Sequence, residues 1–275
     1  MRRSLGSPSF PGDLVTANDS IVADVASFDV IVVNSSGGKD SQVALDVVVQ
    51  HAAAAGVLDR VVVLYCELGR VEWPGTAELV RNQAAHYGIR FELRSRPQGD
   101  LLDHIERRRM FPSSTARYCT SDHKRAQGRK FITELVRELG LNRQARVLNV
   151  LGFRAEESPA RLRRSVLALD EGASSGVREV WTWLPIHGWT EAQVWERIKK
   201  TGVPHHPAYD AGMSRLSCSF CVLASRRDLL TAVQLRPDLA AEYAALEERI
   251  GHRFTHQWSM AELIGEVGRA ESTSG

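Results

Sequence analysis

One polar string near the start of the chain combines the residue types that bind phosphate. It follows the apolar run at 30–33, precedes a segment with helical spacing of apolar residues, and reads Ser36-Gly37-Gly38-Lys39-Asp40-Ser41. Paired glycines let the backbone approach a phosphate closely, and the start of a helix offers unpaired N–H groups with a partial positive charge. Lys39 adds a full charge. The string therefore predicts an anion site, and its spacing is not that of a Walker loop.

Four cysteines form the second set of residues with chemical potential: Cys66, Cys119, Cys218 and Cys221. Cys218 and Cys221 have the Cys-x-x-Cys spacing that binds zinc, ligates an iron–sulfur cluster or acts as a dithiol. Cys119 is the obvious third partner. A closed zinc site would also need Cys66 or a histidine such as His205 or His206, whereas a cluster on three thiolates would leave one iron open. The spacing alone leaves these alternatives open.

Composition limits the classes of protein to which the chain can belong. It has 275 residues, of which 43% are hydrophobic and 25% charged, and a formal net charge of +2. This balance excludes a globally basic nucleic-acid-binding surface, although the arginine groups at 107–109, 161–164 and 226–227 could hold a polyanion locally. There is neither a run long enough to cross a bilayer nor a secretory signal, so we expect a cytoplasmic protein with reduced cysteines and no membrane partner.

Strands and helices alternate through the first two-thirds of the chain. The patterns predict strands at 30–33, 60–65, 89–93 and 147–151, and helices at 40–55, 76–87, 101–108 and 123–139. Such alternation is typical of an α/β fold with a doubly wound parallel sheet. After residue 186 the alternation stops, and we expect helices at 190–200 and 237–250 around a loop-rich stretch at 202–222. We therefore divide the chain into an N-terminal segment (1–28), a nucleotide-binding domain (29–187) and a mainly helical extension carrying the Cys-x-x-Cys loop (188–275).

The string at 36–41 resembles the PP-loop signature of the N-type ATP pyrophosphatases. Four further segments are similar to the branch that contains phosphoadenylyl-sulfate (PAPS) reductases and the ATP pyrophosphatase-like component of DNA phosphorothioation systems: 67–76, 117–124, 152–161 and 207–221. Glu67 stands where that branch usually has an aspartate. The resemblance extends over residues 29–225, and the order of the segments is more specific than any one of them.

This resemblance implies a Rossmann-like fold of the adenine nucleotide alpha-hydrolase kind, with ATP and Mg²⁺ as cofactors. By the same resemblance, the catalytic residues are Lys39, Asp40, Lys124 and Arg154. The nucleotide is expected to be bound by Ser36, Gly37, Gly38, Lys39, Asp40, Ser41, Glu67 and Arg161. Cys119, Cys218 and Cys221 are expected to hold a [4Fe–4S] cluster, with zinc as the alternative metal. The implied partners are a sulfur donor such as a cysteine desulfurase, DNA and other components of a modification complex.

Two features separate the relatives within this branch. Reductases of adenylyl sulfates generally carry a degenerate phosphate loop, and the PAPS type ends in a Glu-Cys-Gly-type catalytic tail. Here the loop is intact and the last cysteine is Cys221. We therefore expect an ATP pyrophosphatase-type sulfurtransferase that adenylates its acceptor, with a PAPS or APS reductase and a non-catalytic nucleotide-sensing subunit as alternatives. DNA backbone phosphate is the expected acceptor, and tRNA or a small molecule would be served by the same loop.

Overall fold

A six-stranded sheet forms the centre of the computed structural model, which describes residues 23–273. Its strands are β1 (Val30–Ser35), β2 (Val61–Glu67), β3 (Arg90–Ser95), β4 (Ala145–Leu151), β5 (Leu167–Leu169) and β6 (Arg178–Trp183). They lie in the order β3-β2-β1-β4-β6-β5, and every neighbouring pair is parallel except β5 with β6. The predicted parallel α/β sheet is confirmed, and it contains two strands that were not predicted, the parallel strand β6 and the antiparallel edge strand β5.

The helices surround this sheet and continue beyond it. They are α1 (Lys39–Ala54), α2 (Thr76–His86), α3 (Leu101–Arg108), α4 (Tyr118–Thr120), α5 (Ala126–Leu139), α6 (Pro159–Leu162), α7 (Glu191–Thr201), α8 (Arg226–Leu235), α9 (Pro237–Ile250) and α10 (Met260–Thr273). A π-helical turn, Ser121–Arg125, joins α4 to α5. The helix predicted at 123–139 therefore begins earlier, and α8 and α10 were not predicted.

Alternate residues of β1 bury themselves in two different cores. Ile31 and Val33 pack with side chains of α1 and α2 on one face of the sheet. Val30 and Val32 pack with α5 on the other. Since successive side chains of a strand point to opposite faces, a continuous apolar strand requires helices on both sides. This is the doubly wound arrangement that the sequence predicts.

The C-terminal helices share a third core with α3. Buried side chains of α8, α9 and α10 pack against Leu102, Ile105 and Phe111, and Phe220 of the Cys-x-x-Cys loop lies among them. Helix α7 packs on α1 instead, through Val194 and Ile198. The mainly helical C-terminal part is thus fastened to the α/β part. The domain boundary that we place after residue 187 stays a prediction.

Most of the predicted N-terminal segment, residues 1–22, lies outside the described part of the chain. Among residues 23–273, no helix is both long enough and apolar enough to span a bilayer.

Candidate nucleotide and thiol site

The strand order reverses direction at β1, which pairs with β2 on one side and with β4 on the other. Open α/β sheets bind ligands outside the carboxyl ends of strands at such a switch point. The loop at 36–41 leaves β1 there, and the segment Gly152–Arg154 leaves β4 beside it. A Cβ atom on Gly152 would lie 2.7 Å from the carbonyl oxygen of Asp40. The two loops therefore approach each other at a distance that only glycine allows.

The loop at 36–41 is closed by hydrogen bonds of its own serines. The Ser36 backbone N–H donates to Ser41 Oγ at 3.2 Å, and Ser41 Oγ donates to the Gly38 carbonyl at 2.9 Å. Gly37 has a φ of 74°, in the left-handed region where a side chain is strained. Gly38 then caps α1 without any side-chain hydrogen bond. The expected strand–glycine loop–helix arrangement is present.

Lys39 is buried beneath a neighbouring segment, with 2% of its surface exposed. Its Nζ donates to the carbonyl of Ser214 at 3.2 Å and lies 3.5 Å from Glu191 Oε1. Its backbone N–H donates to Tyr209 Oη at 3.0 Å, and Nζ lies 5.3 Å from the centre of the Tyr209 ring. The cation predicted to meet phosphate is thus held at the mouth of the loop by a carbonyl, a carboxylate and an aromatic face.

Asp40 and Arg154 form a partly buried ion pair across the crevice. Arg154 is 3% exposed, and its Nε donates to Asp40 Oδ1 at 2.5 Å. The same guanidinium also bonds Glu156 and lies 4.0 Å from Glu191. Burial raises the pKa of the Asp40 carboxyl, while the charges of Lys39 and Arg154 act in the opposite direction. Two of the predicted catalytic residues are therefore in direct contact.

Arg161, predicted to bind the nucleotide, is held by protein groups on two sides. Its guanidinium forms an ion pair with Glu157 and lies over the ring of Phe153, 4.2 Å from the ring centre. Arg215 approaches the same carboxylate at 3.4 Å. Glu157 in turn accepts the backbone N–H of Arg154 at 3.0 Å. Arg161 is thus linked through one carboxylate to the loop that carries Arg154.

The predicted residues Glu67 and Lys124 lie at the end of β2. Glu67 is the last residue of that strand, and the neighbouring Cys66 Sγ lies 3.6 Å from the carbonyl of Lys124. Burial raises the pKa of Cys66 to about 11, with the Lys124 charge opposing this rise. The carboxyl of Glu72 accepts a hydrogen bond from Tyr65, and burial raises its pKa as well. Lys124 therefore lies beside a thiol and near a carboxyl whose pKa values are both raised by burial.

The thiols of the Cys-x-x-Cys loop interact with each other. A hydrogen bond with Cys221 raises the pKa of Cys218, and the same contact lowers the pKa of Cys221. The charge of Cys119 raises the pKa of Cys218 further, and that of Lys124 lowers the pKa of both. Cys119 is therefore in the same neighbourhood as the pair. Nevertheless, within residues 23–273, no three His, Cys, Asp or Glu side chains are placed so that they could hold one metal ion.

The thiol chemistry suits zinc or an iron–sulfur cluster, but only the pair at 218 and 221 is already in contact. We therefore assign no reaction step to a metal centre.

Several contacts of the site were not predicted from the sequence, although His206 was named there as a possible zinc ligand. Tyr209 and Ser214 cover Lys39, and Asp228 fixes Ser214 by accepting its N–H at 2.8 Å and its hydroxyl at 2.7 Å. His206 Nδ1 accepts the Ala208 N–H at 3.1 Å. Its Nε2 lies 3.0 Å from Thr76 Oγ1, whose own proton goes to Trp73, so Nε2 donates. Tyr209 lies in a segment that the resemblance marked, but the other contacts join distant parts of the chain.

Comparison with known proteins places this site in a recognised family. The model of the phosphoadenosine phosphosulfate reductase domain matches residues 30–224. An uncharacterized 37.8-kDa protein of Escherichia phage 186 is 29% identical over 156 residues, which are 56% of this chain and 45% of the relative. The alignment thus spans less than half of that relative's length.

Two solved structures show similarity at low sequence identity. The PAPS reductase of Candida auris, in its phosphate complex, is 20% identical, with coverage of 71% of this chain and 84% of the other and a TM-score of 0.44. The U34-tRNA thiolase NcsA of Methanococcus maripaludis with its [4Fe–4S] cluster is 14% identical, with coverage of 92% and 76% and a TM-score of 0.47. Because the family match spans more than half of the sequence, this chain belongs to the phosphoadenosine phosphosulfate reductase domain family.

Proposed function

We propose that the chain is an ATP-dependent enzyme that adenylates its acceptor, releases pyrophosphate and thereby prepares the acceptor to receive sulfur. The observation that carries this proposal is the intact loop at 36–41, with Lys39 at its mouth and Asp40 paired to Arg154 across the switch point. Membership of the PAPS reductase domain family supports a nucleotide enzyme of sulfur chemistry. An intact ATP loop would be redundant in an enzyme that receives a nucleotide already activated.

The proposed reaction has two displacements. An oxygen of the acceptor, which we take to be a backbone phosphate of DNA, attacks the α-phosphorus of ATP, and the bond to the β-phosphate oxygen breaks to release pyrophosphate. The persulfide of a donor such as a cysteine desulfurase is reduced by a thiol, which becomes part of a disulfide, and the hydrosulfide set free attacks the backbone phosphorus. The bond from that phosphorus to the adenylated oxygen breaks, and AMP leaves with the acceptor oxygen. A second, tRNA-type acceptor would follow the same scheme.

The residues of the chain act on charge and position in this scheme. Lys39 and the N–H groups at the start of α1 would stabilise the negative charge that develops on the transferred phosphate. Arg154 holds the Asp40 carboxylate in place, and Lys124 lies where the end of β2 meets the thiols. Bound Mg²⁺ would neutralise phosphate charge, and Glu67 is the carboxylate at the strand edge suited to hold it or the ribose. Arg161 is the remaining proposed nucleotide contact.

A metal centre on Cys119, Cys218 and Cys221 is part of the proposal, as a [4Fe–4S] cluster or zinc. What supports it is the neighbourhood of the three thiols and the lowered pKa of Cys221, since metals bind the thiolate form. In the same region the Lys124 charge favours thiolates.

The rival reading is a PAPS or APS reductase that forms sulfite, and the family assignment favours it. A third reading is a subunit that binds nucleotide without turnover, which the burial of Lys39 favours.

Pyrophosphate release separates the three. The full chain, purified without oxygen, is incubated with Mg-ATP with and without an oligonucleotide acceptor, and separately with PAPS and thioredoxin. We expect pyrophosphate and AMP from ATP, and a loss of at least about a hundredfold in Lys39→Ala. Lys130→Ala, an exposed lysine on α5, is the control. Sulfite formed from PAPS without ATP would establish the reductase, and ATP binding without any release of pyrophosphate would establish the sensor.

A further inference from the structure

An open cleft lies between α6 and the segment that leads into α7. Its volume is about 480 Å³, and its apolar walls include Pro159, Leu162 and Trp189. Leu162 is 63% exposed, although it belongs to a region otherwise rich in arginine. Pockets of this size with apolar and aromatic walls accept flat heterocycles such as nucleobases. We call it the 162/189 cleft.

Hydrogen bonds fix the orientation of two polar side chains at the rim of the cleft. His187 Nε2 lies 2.9 Å from the carbonyl oxygen of Arg161, which can only accept, so Nε2 donates, and in the neutral ring Nδ1 is an acceptor. Glu156 accepts the backbone N–H of Glu191 at 2.7 Å and is bonded to Arg154. The cleft therefore combines an apolar interior with a few positioned acceptors, which suits the edge of a base that carries N–H groups.

Two exposed cations adjoin the cleft. Arg163 and Arg164 directly follow Leu162, and neither guanidinium has a carboxylate partner within residues 23–270. Arg161, by contrast, is neutralised by Glu157. Arg163 and Arg164 are therefore available to phosphates, whereas Arg161 is engaged by a carboxylate of the protein itself. A charged rim beside an aromatic wall is the combination that binds single-stranded nucleic acid.

The cleft is joined directly to the nucleotide loop. Glu156 at its rim bonds Arg154, and Arg154 bonds Asp40. On its other side, Glu191 follows the rim residue Thr190 and lies 3.5 Å from Lys39 Nζ. A ligand in the cleft would therefore sit one layer of side chains away from the site where phosphate is to be activated.

From these observations we infer that the 162/189 cleft holds one unstacked base of a single-stranded nucleic acid whose flanking phosphates contact Arg163 and Arg164. The inference deepens the proposed function, on which it rests, by giving the acceptor strand a subsite. A base held in the cleft would keep its strand beside the loop at 36–41, because Glu156 and Glu191 connect the rim of the cleft to Arg154 and Lys39.

The test measures binding of a fluorescein-labelled single-stranded oligonucleotide to the full chain, as DNA and as RNA, with 2-aminopurine at its centre. Leu162→Ser is expected to weaken binding about tenfold and to abolish the change in 2-aminopurine fluorescence that accompanies binding to the wild type. The double variant Arg163→Ala/Arg164→Ala is expected to lower the slope of log K against log salt by about 1.4, since each neutralised phosphate contributes about 0.7 on a single strand. Leu139→Ser and Arg137→Ala change exposed residues of α5 and are the matched controls.

The outcomes separate this inference from the proposed function. Equal binding by wild type and Leu162→Ser, or no binding by wild type at low salt, overturns the inference, and pyrophosphate release measured on the same samples reports independently on the function. Displacement of the oligonucleotide by a non-hydrolysable ATP analogue, one for one, would make the cleft a site for the nucleotide itself and would also overturn the inference. Loss of pyrophosphate release with cleft-dependent binding intact would overturn the function instead.

Discussion

Arg154 and Asp40 meet as an ion pair in which the arginine is buried and the aspartate is partly buried, with Nε of the guanidinium 2.5 Å from Oδ1 of the carboxylate. The pair joins the segment after β4 to the start of α1, so it lies at the switch point, beside the carboxyl ends of β4 and β1. Such a pair is expensive to break, because removal of one partner leaves the other charged in a place with little water.

We expect Arg154→Ala to destabilise the protein by about 3 kcal/mol and to abolish pyrophosphate release. Asp40→Asn combined with Arg154→Ala should recover part of the lost stability, since the uncompensated charge is gone, but not the activity. Chemical denaturation measured with both variants checks this. Arg249→Ala, which removes an exposed pair with Glu106, is the control and should leave the midpoint unchanged. A wild-type midpoint for Arg154→Ala would contradict the importance of the pair.

Gly152→Ala is expected to displace the nucleotide loop. The new Cβ would lie 2.7 Å from the Asp40 carbonyl oxygen and 2.9 Å from the Ser41 Cα, and neither backbone atom can move without moving the loop. A cost of about 1–3 kcal/mol in stability should accompany a raised KM for ATP. Gly176→Ala, at a glycine with open space around it, is the matched control. The prediction fails if ATP binds both variants with wild-type affinity in calorimetry.

Metal content tests the thiol group. Replacement of Cys119, Cys218 or Cys221 by serine should each lower the iron or zinc content of protein purified without oxygen, whereas Cys66→Ser should leave it unchanged. If the wild type carries no metal and mass spectrometry finds a disulfide between Cys218 and Cys221 after mild oxidation, the site is a dithiol. Retention of full metal by Cys119→Ser would remove that residue from the ligands.

The buried imidazole of His123 predicts a loss of stability in acid. Its Nε2 lies 3.1 Å from His104 Nδ1, it is fully buried, and burial lowers its pKa from 6.5 to about 4. The folded state therefore keeps it neutral while the unfolded chain takes up a proton below about pH 6.5, so stability is present above that pH and is lost as the pH falls toward 4. His123→Gln should reduce this loss by about 2 kcal/mol. Thermal unfolding at pH 7 and pH 4.5 measures it, and His256→Gln, at an exposed histidine, should show the wild-type dependence.

The elements around the nucleotide loop were predictable because each repeats a local pattern. The valines of β1 and β2 and the glycines that end α5 and α7 are signals within a few residues of chain. Strand β5 has three residues, too few for a periodicity. Helix α8, which was not predicted, does begin at a local signal, because Ser225 is its N-cap and accepts the backbone N–H of Asp228. In the structure, Arg226 pairs with Glu266.

The residues of the candidate site also divide into those that a local pattern predicts and those that only the fold brings together. The residues of the loop at 36–41, and those of the Cys-x-x-Cys pair, lie close together in sequence. Their residue types and spacing were therefore sufficient to mark them as candidate site residues. The cover over Lys39 was not predictable, because Ser214 reaches it only through the fold and is fixed there by Asp228. The pairing of Arg154 with Asp40 likewise depends on the order of the strands. Local motifs indicated the chemistry, and the long-range contacts determine which charges remain free for it.

The contact between Lys39 and the Ser214 carbonyl also has a thermodynamic meaning. Cys218 follows Ser214 by four residues, so the segment that occupies the lysine leads directly to the thiol pair. A ligand that takes the Lys39 ammonium group away from Ser214 breaks one contact of this segment, which Asp228 still holds, and the affinity of that ligand is reduced by the free energy of the broken contact. Such coupling is reciprocal. If a ligand that fixes the thiols in one position changes the affinity of the loop at 36–41 for its ligand by a given factor, binding at the loop changes the affinity of the thiols for their ligand by the same factor. The contact of Lys39 with Ser214 would therefore couple the binding of phosphate at the loop to the arrangement of the thiol pair.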